Sequence, residues 1–175
     1  MAWAVIEVFR HTGVRVEELL ELSHHSLIQY RLPSTGEVVP LLQIAPSKTD
    51  TERLLVVSPE LADVLSTVIR RVRGPDGAIP LVCAHDSHER VWLPPAPLLF
   101  QRRTRAEHRS LGSSFVADLL AEALAHTGLT DPATGASLHF APHDFRRMFI
   151  TDAEMSGVAS NASLSGKRER FLAGA

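Results

Sequence analysis

The sequence predicts an α+β fold that is mainly helical and contains a small three-stranded antiparallel sheet. Several segments repeat apolar residues at helical spacing, which is typical of helices that face a core. Three β-prone runs, residues 26–32, 38–45 and 53–57, follow one another and are separated by turn residues. The 175 residues, 45% of them hydrophobic, are enough for one globular domain with its own core.

Two helices are predicted before the strands. Residues 2–10 (AWAVIEVFR) are apolar on nearly every side, which is typical of a buried helix, and Gly13 interrupts it. The second helix carries Val16, Leu19 and Leu20 on one face. Turns rich in Pro, Ser, Thr, Asp and Gly then separate the three strands.

A third helix is predicted to begin at Ser58, where a hydroxyl N-cap precedes Pro59 at the first helical position. Its core-facing stripe is Leu61, Val64, Leu65, Val68 and Ile69. Three arginines lie near its C-terminal end, where positive charge stabilises the helix dipole, and Gly74 ends it. That explanation is favoured over phosphate contact for Arg70, Arg71 and Arg73.

The rest of the chain is predicted to contain a long irregular segment followed by two helices. Residues 74–112 are rich in proline and charge, so they are interpreted as a loop or an insertion. Ser113 or Ser114 is expected to cap the next helix. Pro142 is expected to begin the last helix, and Gly157 to close it.

The charge composition restricts how this chain can contact nucleic acid. The net charge is −2 and the pI is about 6.5, so the strongly basic footprint of many nucleic-acid binders is absent. Any DNA contact must come from local arginine clusters. There are sixteen arginines but only two lysines, Lys48 and Lys167. Arginine suits bidentate phosphate contact, and lysine is the readier proton donor.

Cysteine content and hydropathy indicate the compartment. Cys83 is the only cysteine, so no disulfide forms within one chain. No apolar run approaches membrane-spanning length, and the N-terminus lacks the charged-then-apolar pattern of a signal peptide. The sequence therefore predicts a cytoplasmic protein with no membrane contact.

Three short motifs carry candidate chemistry. In HTGVRVEELLEL, Arg15 and Glu18 are spaced i, i+3 on one helical face. In APSKTDTERLLVV, Lys48 lies on the turn between two predicted strands. In PHDFRR, His143 and Arg146 are one helical turn apart. Each motif alone also fits ordinary surface residues, and their order along the chain is more specific than any one of them.

In that order the motifs resemble the catalytic domain of tyrosine recombinases, the phage-integrase family, from about residue 2 to 158. The resemblance implies the fold of that catalytic domain. It also implies DNA integration or site-specific recombination, with double-stranded DNA as partner and with no cofactor or metal. Such enzymes break and rejoin DNA strands through a phosphorane-like state with extra negative charge on the non-bridging oxygens.

The resemblance also implies a role for each site residue. Arg15 and Arg146 would hold the non-bridging phosphate oxygens, and Glu18 would orient Arg15. Lys48 would protonate the leaving 5′-oxygen as general acid. His143 would donate a hydrogen bond to the phosphate or act as the base that deprotonates the nucleophile.

The pattern departs from the family after the last motif. The family's tyrosine nucleophile would follow Val158, but residues 159–175 contain no His, Trp or Tyr, and the only tyrosine, Tyr30, lies in the first predicted strand. The sequence thus predicts an integrase-like catalytic domain at 1–158, incomplete at both ends, and an atypical tail at 159–175. A frameshift, an early stop or a fragment would each explain it. Cleavage by this chain alone is not expected.

Two other segments of the sequence suggest different functions. In FQRRTRAEHR, four arginines could follow a DNA backbone in a non-catalytic DNA-binding or interaction module, although a solvated loop explains them equally well. They are Arg102, Arg103, Arg105 and Arg109. In residues 83–89 (CAHDSHE), the ligand types suit a zinc-binding hydrolase, but the spacing matches no zinc template and a polar loop is favoured. The candidate ligands are Cys83, His85, Asp86, His88 and Glu89.

Core surface left exposed by the missing C-terminal helix would favour self-association.

Overall fold

The chain has an α+β fold in a computed structural model that describes residues 1–46, 51–86, 90–105 and 107–155. Five α-helices occur in these ranges: α1 Ala2–Thr12, α2 Val16–Leu20, α3 Pro59–Val72, α4 Ser113–Thr127 and α5 Pro142–Met155. A short 3-10 turn, His24–Ser26, leads from α2 into the first strand.

The predicted three-stranded sheet is present and antiparallel, in the order β1-β2-β3. Its strands are β1 Leu27–Arg31, β2 Val38–Ile44 and β3 Arg53–Val56. In the central strand, Leu42 lies opposite Leu27 and Leu55, and these three side chains face the core. Tyr30 and Val56 project from the other face and are exposed. The sheet therefore covers the core with one face only.

The interpretation of residues 74–112 as a long loop was wrong in part. The segment contains two antiparallel hairpins and a buried apolar run, Leu98–Phe100. The first hairpin is β4 His85–Asp86 with β5 Val91–Trp92, and the second is β6 Gln101–Thr104 with β7 Glu107–Ser110. Prolines and arginines surround the apolar run in sequence, so local composition did not reveal that it is buried against the helices.

α1 lies at the centre of the helical layer and contacts α3, α4 and α5. Val5, Val8 and Phe9 are completely buried, whereas Trp3 remains more than half exposed, so the helix is buried on one side and not all round. The stripe predicted on α3 faces this core, with Ile69 at its edge. The motif-bearing segments at both ends of the chain thus share one core.

Of the three helix starts predicted from a cap residue or a proline, two agree with the structure and one differs. Ser58 caps α3, because its Oγ accepts a hydrogen bond from the Leu61 backbone N–H at 3.3 Å. α5 begins at Pro142 as expected. The N-cap of α4 is Gly112 and not a serine, because the helix begins one residue too early for the predicted hydroxyl cap. The predicted end of α5 at Gly157 and the tail at 159–175 lie outside the described residues.

Candidate functional site

The loop between α1 and α2 presents the first candidate residue, Arg15. α1 ends at Gly13, which has a φ of 59° and therefore a left-handed conformation that favours glycine. Thr12 stabilises the turn, since its Oγ1 donates to the Val8 carbonyl at 2.5 Å and accepts from the Val14 N–H at 3.3 Å. Gly13 and Val14 are buried, so the loop that carries Arg15 is held against the core.

Glu18 is the buried centre of a charged cluster. Its side chain is 1% exposed, and Oε2 accepts a hydrogen bond from the Arg15 backbone N–H at 2.8 Å. Oε1 lies 3.6 Å from Nη1 of Arg15 and also accepts a short hydrogen bond from Nη2 of Arg53. One carboxylate therefore faces two guanidiniums. It orients Arg15 by contacting both the backbone N–H and the guanidinium of that residue.

Arg53 is the member of this cluster that sequence reasoning missed. It is the first residue of β3, and its side chain is only 13% exposed. Its Nε is buried and has no hydrogen-bond partner in the part of the chain that the structure describes. A single arginine at the start of a strand carries no signal in the sequence that would join it to Glu18, because the two residues are 35 positions apart.

Arg146 reaches the same loop from α5. Phe145 stacks on Phe9 of α1 with ring centroids 5.8 Å apart, and this contact seats α5 against α1. The next residue, Arg146, is half-buried, and its Nη1 donates to the Gly13 carbonyl at 2.7 Å. This hydrogen bond thus holds the Arg146 side chain against Gly13, which lies two positions before Arg15 in the α1–α2 loop.

Of the two remaining candidates, the structure describes His143 but not Lys48. His143 is exposed in the first turn of α5, one turn before Arg146. Lys48 lies outside the described residues. It belongs to the connection between β2 and β3, and β3 begins at Arg53 of the charged cluster. Arg15, Glu18 and Arg146 are therefore brought to one loop, and the catalytic roles of these residues stay predictions.

The four arginines of the 102–109 stretch do not form one surface. Arg102 and Arg109 are cross-strand neighbours on one face of the β6–β7 hairpin, where Arg102 lies 4.4 Å from the centre of the Phe115 ring. Arg109 pairs with Glu107 at 3.1 Å. Arg103 belongs to the other face, and Arg105 lies in the turn with a φ of 55°.

The candidate zinc ligands are only partly described. Cys83 is exposed, and the ring of His85 packs edge-on against Trp92 with centroids 5.1 Å apart. Among the residues whose positions are described, no group of three or more His, Cys, Asp or Glu side chains is arranged to hold a metal ion. His88 and Glu89 lie outside the described residues.

The positions of Tyr30 and of the exposed residues of α5 concern two further predictions, which are the identity of the nucleophile and self-association. Tyr30 lies in β1 opposite Val39 and is 42% exposed on the outer face of the sheet. Met148 and Met155 of α5 are exposed apolar residues. Self-association through such surface stays a prediction.

Comparison of the sequence with models of known protein families finds no match, and no curated protein matches it. None of the described helices is long and apolar enough to cross a membrane. Function is therefore inferred from the residues themselves and from their arrangement.

Proposed function

We propose that this chain is an integrase-like catalytic domain of the tyrosine-recombinase type, and that Arg15 and Arg146 bind one backbone phosphate of double-stranded DNA. The observation that supports this proposal best is the 2.7 Å hydrogen bond from Arg146 to the Gly13 carbonyl. It joins residues 133 positions apart and ties the HxxR helix to the loop of the TGxRxxE motif.

A pair of arginines suits the chemistry of phosphodiester cleavage. Negative charge grows on the non-bridging oxygens as the nucleophile attacks, and oriented guanidinium donors stabilise that charge more than they stabilise the ground state. Glu18 supports the proposal because it holds Arg15 in one orientation before any ligand arrives. Pre-orientation of this kind lowers the reorganisation that the reaction would otherwise need.

Two further residues complete the proposed site. Lys48 would protonate the leaving 5′-oxygen, which leaves as an alcohol once it accepts that proton. His143, exposed one turn before Arg146, would donate a hydrogen bond to the same phosphate or take the proton of the nucleophile. The nucleophile is the missing part, because Tyr30 is the only tyrosine in the 175 residues.

DNA affinity tests the proposed role of Arg146. Replacing Arg146 by glutamine should weaken binding to a short duplex by roughly ten- to a hundredfold, because a charge-assisted hydrogen bond contributes about 1.5–3 kcal/mol. Fluorescence anisotropy at fixed salt measures this change. Arg147→Gln is the matched control, since Arg147 is the exposed neighbour on the same helix.

Arg146 also supports the α1–α2 loop, so a second variant is needed. Arg15→Gln removes the other proposed phosphate ligand and leaves the Arg146–Gly13 hydrogen bond in place. Both variants should lose affinity while circular dichroism stays unchanged. Equal affinities for wild type, Arg15→Gln and Arg147→Gln would contradict the proposed site.

Strand cleavage is expected to be absent. Incubated with a nicked suicide duplex, the 175-residue chain should give no covalent protein–DNA adduct on a denaturing gel, because Tyr30 lies on the outer face of the sheet and in a strand. An adduct that disappears in Tyr30→Phe would show that Tyr30 is the nucleophile, which would contradict this expectation.

A further inference from the structure

A second cationic site lies away from the Arg15–Glu18 cluster. A cleft of about 220 Å³ opens between the C-terminal end of α3 and the β6–β7 hairpin. This volume is far above the ~10–15 Å³ that a single water molecule requires. Its polar and charged lining residues are Arg71, Arg73, Gln101, Arg103 and His108. None of the residues proposed to bind the scissile phosphate lines it.

The three arginines of this cleft have no acidic partner among the residues that the structure describes. Within the described ranges, no carboxylate lies at ion-pair distance from Arg71, Arg73 or Arg103, whereas Arg53 and Arg109 each have one. Nη1 of Arg71 contacts the Met1 sulfur, and Nε of Arg103 donates to the Arg105 carbonyl at 3.3 Å. Like charges that share a cleft repel one another, and a bound anion would remove that repulsion.

The hairpin register explains why Arg103 faces the cleft while its neighbour does not. Arg103 pairs across the strands with His108, and both point to the side of α3. Arg102 points to the opposite side, over the Phe115 ring. Side chains alternate between faces along a strand, so neighbouring arginines have separate environments.

A buried glutamine fixes the orientation of His108. Nε2 of Gln101, a residue that is 1% exposed, donates to the carbonyls of Pro80 at 3.0 Å and Leu98 at 2.6 Å. These two acceptors set the amide orientation, so its Oε1 must accept from Nδ1–H of His108, at 3.0 Å. Nε2 of His108 is the imidazole nitrogen that this contact leaves for a ligand.

Two titratable groups lie close enough to the cleft arginines for the arginine charge to contribute to their pKa. The pKa of the Met1 ammonium is lowered by burial and, to a lesser extent, by the charge of Arg71. The pKa of His24 is lowered by burial first, and then by His25 and Arg73. Burial is the larger cause of both shifts, and the smaller contribution from Arg71 or Arg73 has the sign that favours a bound anion.

We propose that this cleft is a second phosphate-binding site, in which Arg71, Arg73 and Arg103 contact a phosphate group of the ligand beside His108. Guanidiniums match phosphate oxygens with paired hydrogen bonds. The Nε2 atom of His108 accepts from a protonated phosphate oxygen when the imidazole is neutral, and donates when it is protonated. The phosphate belongs either to a small phosphorylated molecule or to the DNA backbone, and only the DNA source rests on the proposed function.

Calorimetric titration of the full chain with inorganic pyrophosphate tests the site directly. Wild type should bind pyrophosphate, and Arg103→Gln should weaken binding at least tenfold. Arg102→Gln is the matched control, since it removes an equal charge one residue away on the opposite hairpin face. In a chain that already carries Arg146→Gln, Arg103→Gln should weaken pyrophosphate binding by the same factor as in wild type, which separates this cleft from the proposed catalytic site.

Salt titration of duplex DNA binding identifies the source of the phosphate. If the cleft holds DNA, Arg103→Gln should reduce the slope of log affinity against log salt by about one, and Arg102→Gln should not. A lost pyrophosphate signal with an unchanged slope assigns the site to a small molecule. If DNA does not bind at all, the proposed function fails while the pyrophosphate titration still decides on the cleft.

Two results would overturn the second site. The first is that wild type does not bind pyrophosphate and that the DNA salt slope is the same for Arg103→Gln and wild type. The second is an equal effect of Arg102→Gln and Arg103→Gln in both titrations, because charge alone, without the cleft geometry, would then explain the binding.

Discussion

Replacing Glu18 by alanine should lower the free energy of unfolding by about 3–5 kcal/mol, because removal of one partner of a buried ion pair leaves the other charge uncompensated. The Glu18 side chain is 1% exposed and that of Arg53 is 13% exposed, so water cannot readily replace the carboxylate. Arg15, at 37%, can rehydrate, which favours the lower end of that range. Urea denaturation followed by circular dichroism measures the change.

Two controls separate charge from packing at this position. Glu17→Ala changes the exposed neighbour on the same short helix and should alter stability by no more than about 0.5 kcal/mol. Glu18→Gln keeps the shape of the side chain but removes its charge, so it should fall between Glu17→Ala and Glu18→Ala. Equal stabilities for Glu18→Ala and Glu17→Ala would show that the cluster does not support the fold.

Gly13→Ala is the second substitution with a large expected effect, about 2–5 kcal/mol of lost stability. The left-handed backbone at a φ of 59° costs an L-residue about 1–2 kcal/mol. A Cβ atom at Gly13 would also lie 2.5 Å from Cδ1 of Phe149, and overpacking of this kind costs about 1–3 kcal/mol. Thermal and urea unfolding of the purified variant would measure the sum.

Gly128 provides a matched control within the same chain. It also ends a helix, α4, in a left-handed conformation with a φ of 65°, but a Cβ atom there would have nothing within 4 Å. Gly128→Ala should therefore show only the backbone cost of about 1–2 kcal/mol. The excess at Gly13 should shrink when Phe149 is shortened to alanine in the same chain. Equal losses at Gly13 and Gly128 would contradict a close approach of α5.

The fold was predictable where its signals are local. Ser58 and Pro59 predict the start of α3 because the cap and the ring act within one helical turn. The three strands were found because each is a short β-prone run bounded by turn residues. The β6–β7 hairpin was missed because its arginines and its turn at Arg105 suggested a solvated loop.

The candidate site was predictable only in its local part. The i, i+3 spacing brings Arg15 and Glu18 together because Arg15 is the N-cap of α2 and the Glu18 side chain reaches back to its backbone N–H from the first turn. Nothing within a few residues connects Glu18 with Arg53, or Gly13 with Arg146. These contacts form because β3 and α5 pack against the same core, and packing is a property of the whole chain.

The sequence by itself determined the order of helices and strands before residue 74, the capped start of α3 and the Arg15–Glu18 pair. Tertiary structure decided which arginines share a surface: Arg53 joins Glu18, and Arg103 faces the α3 arginines while Arg102 faces Phe115. The physical reason is range. Backbone propensity and helical spacing act over a few residues, whereas burial and charge pairing act on whatever the folded chain brings into contact.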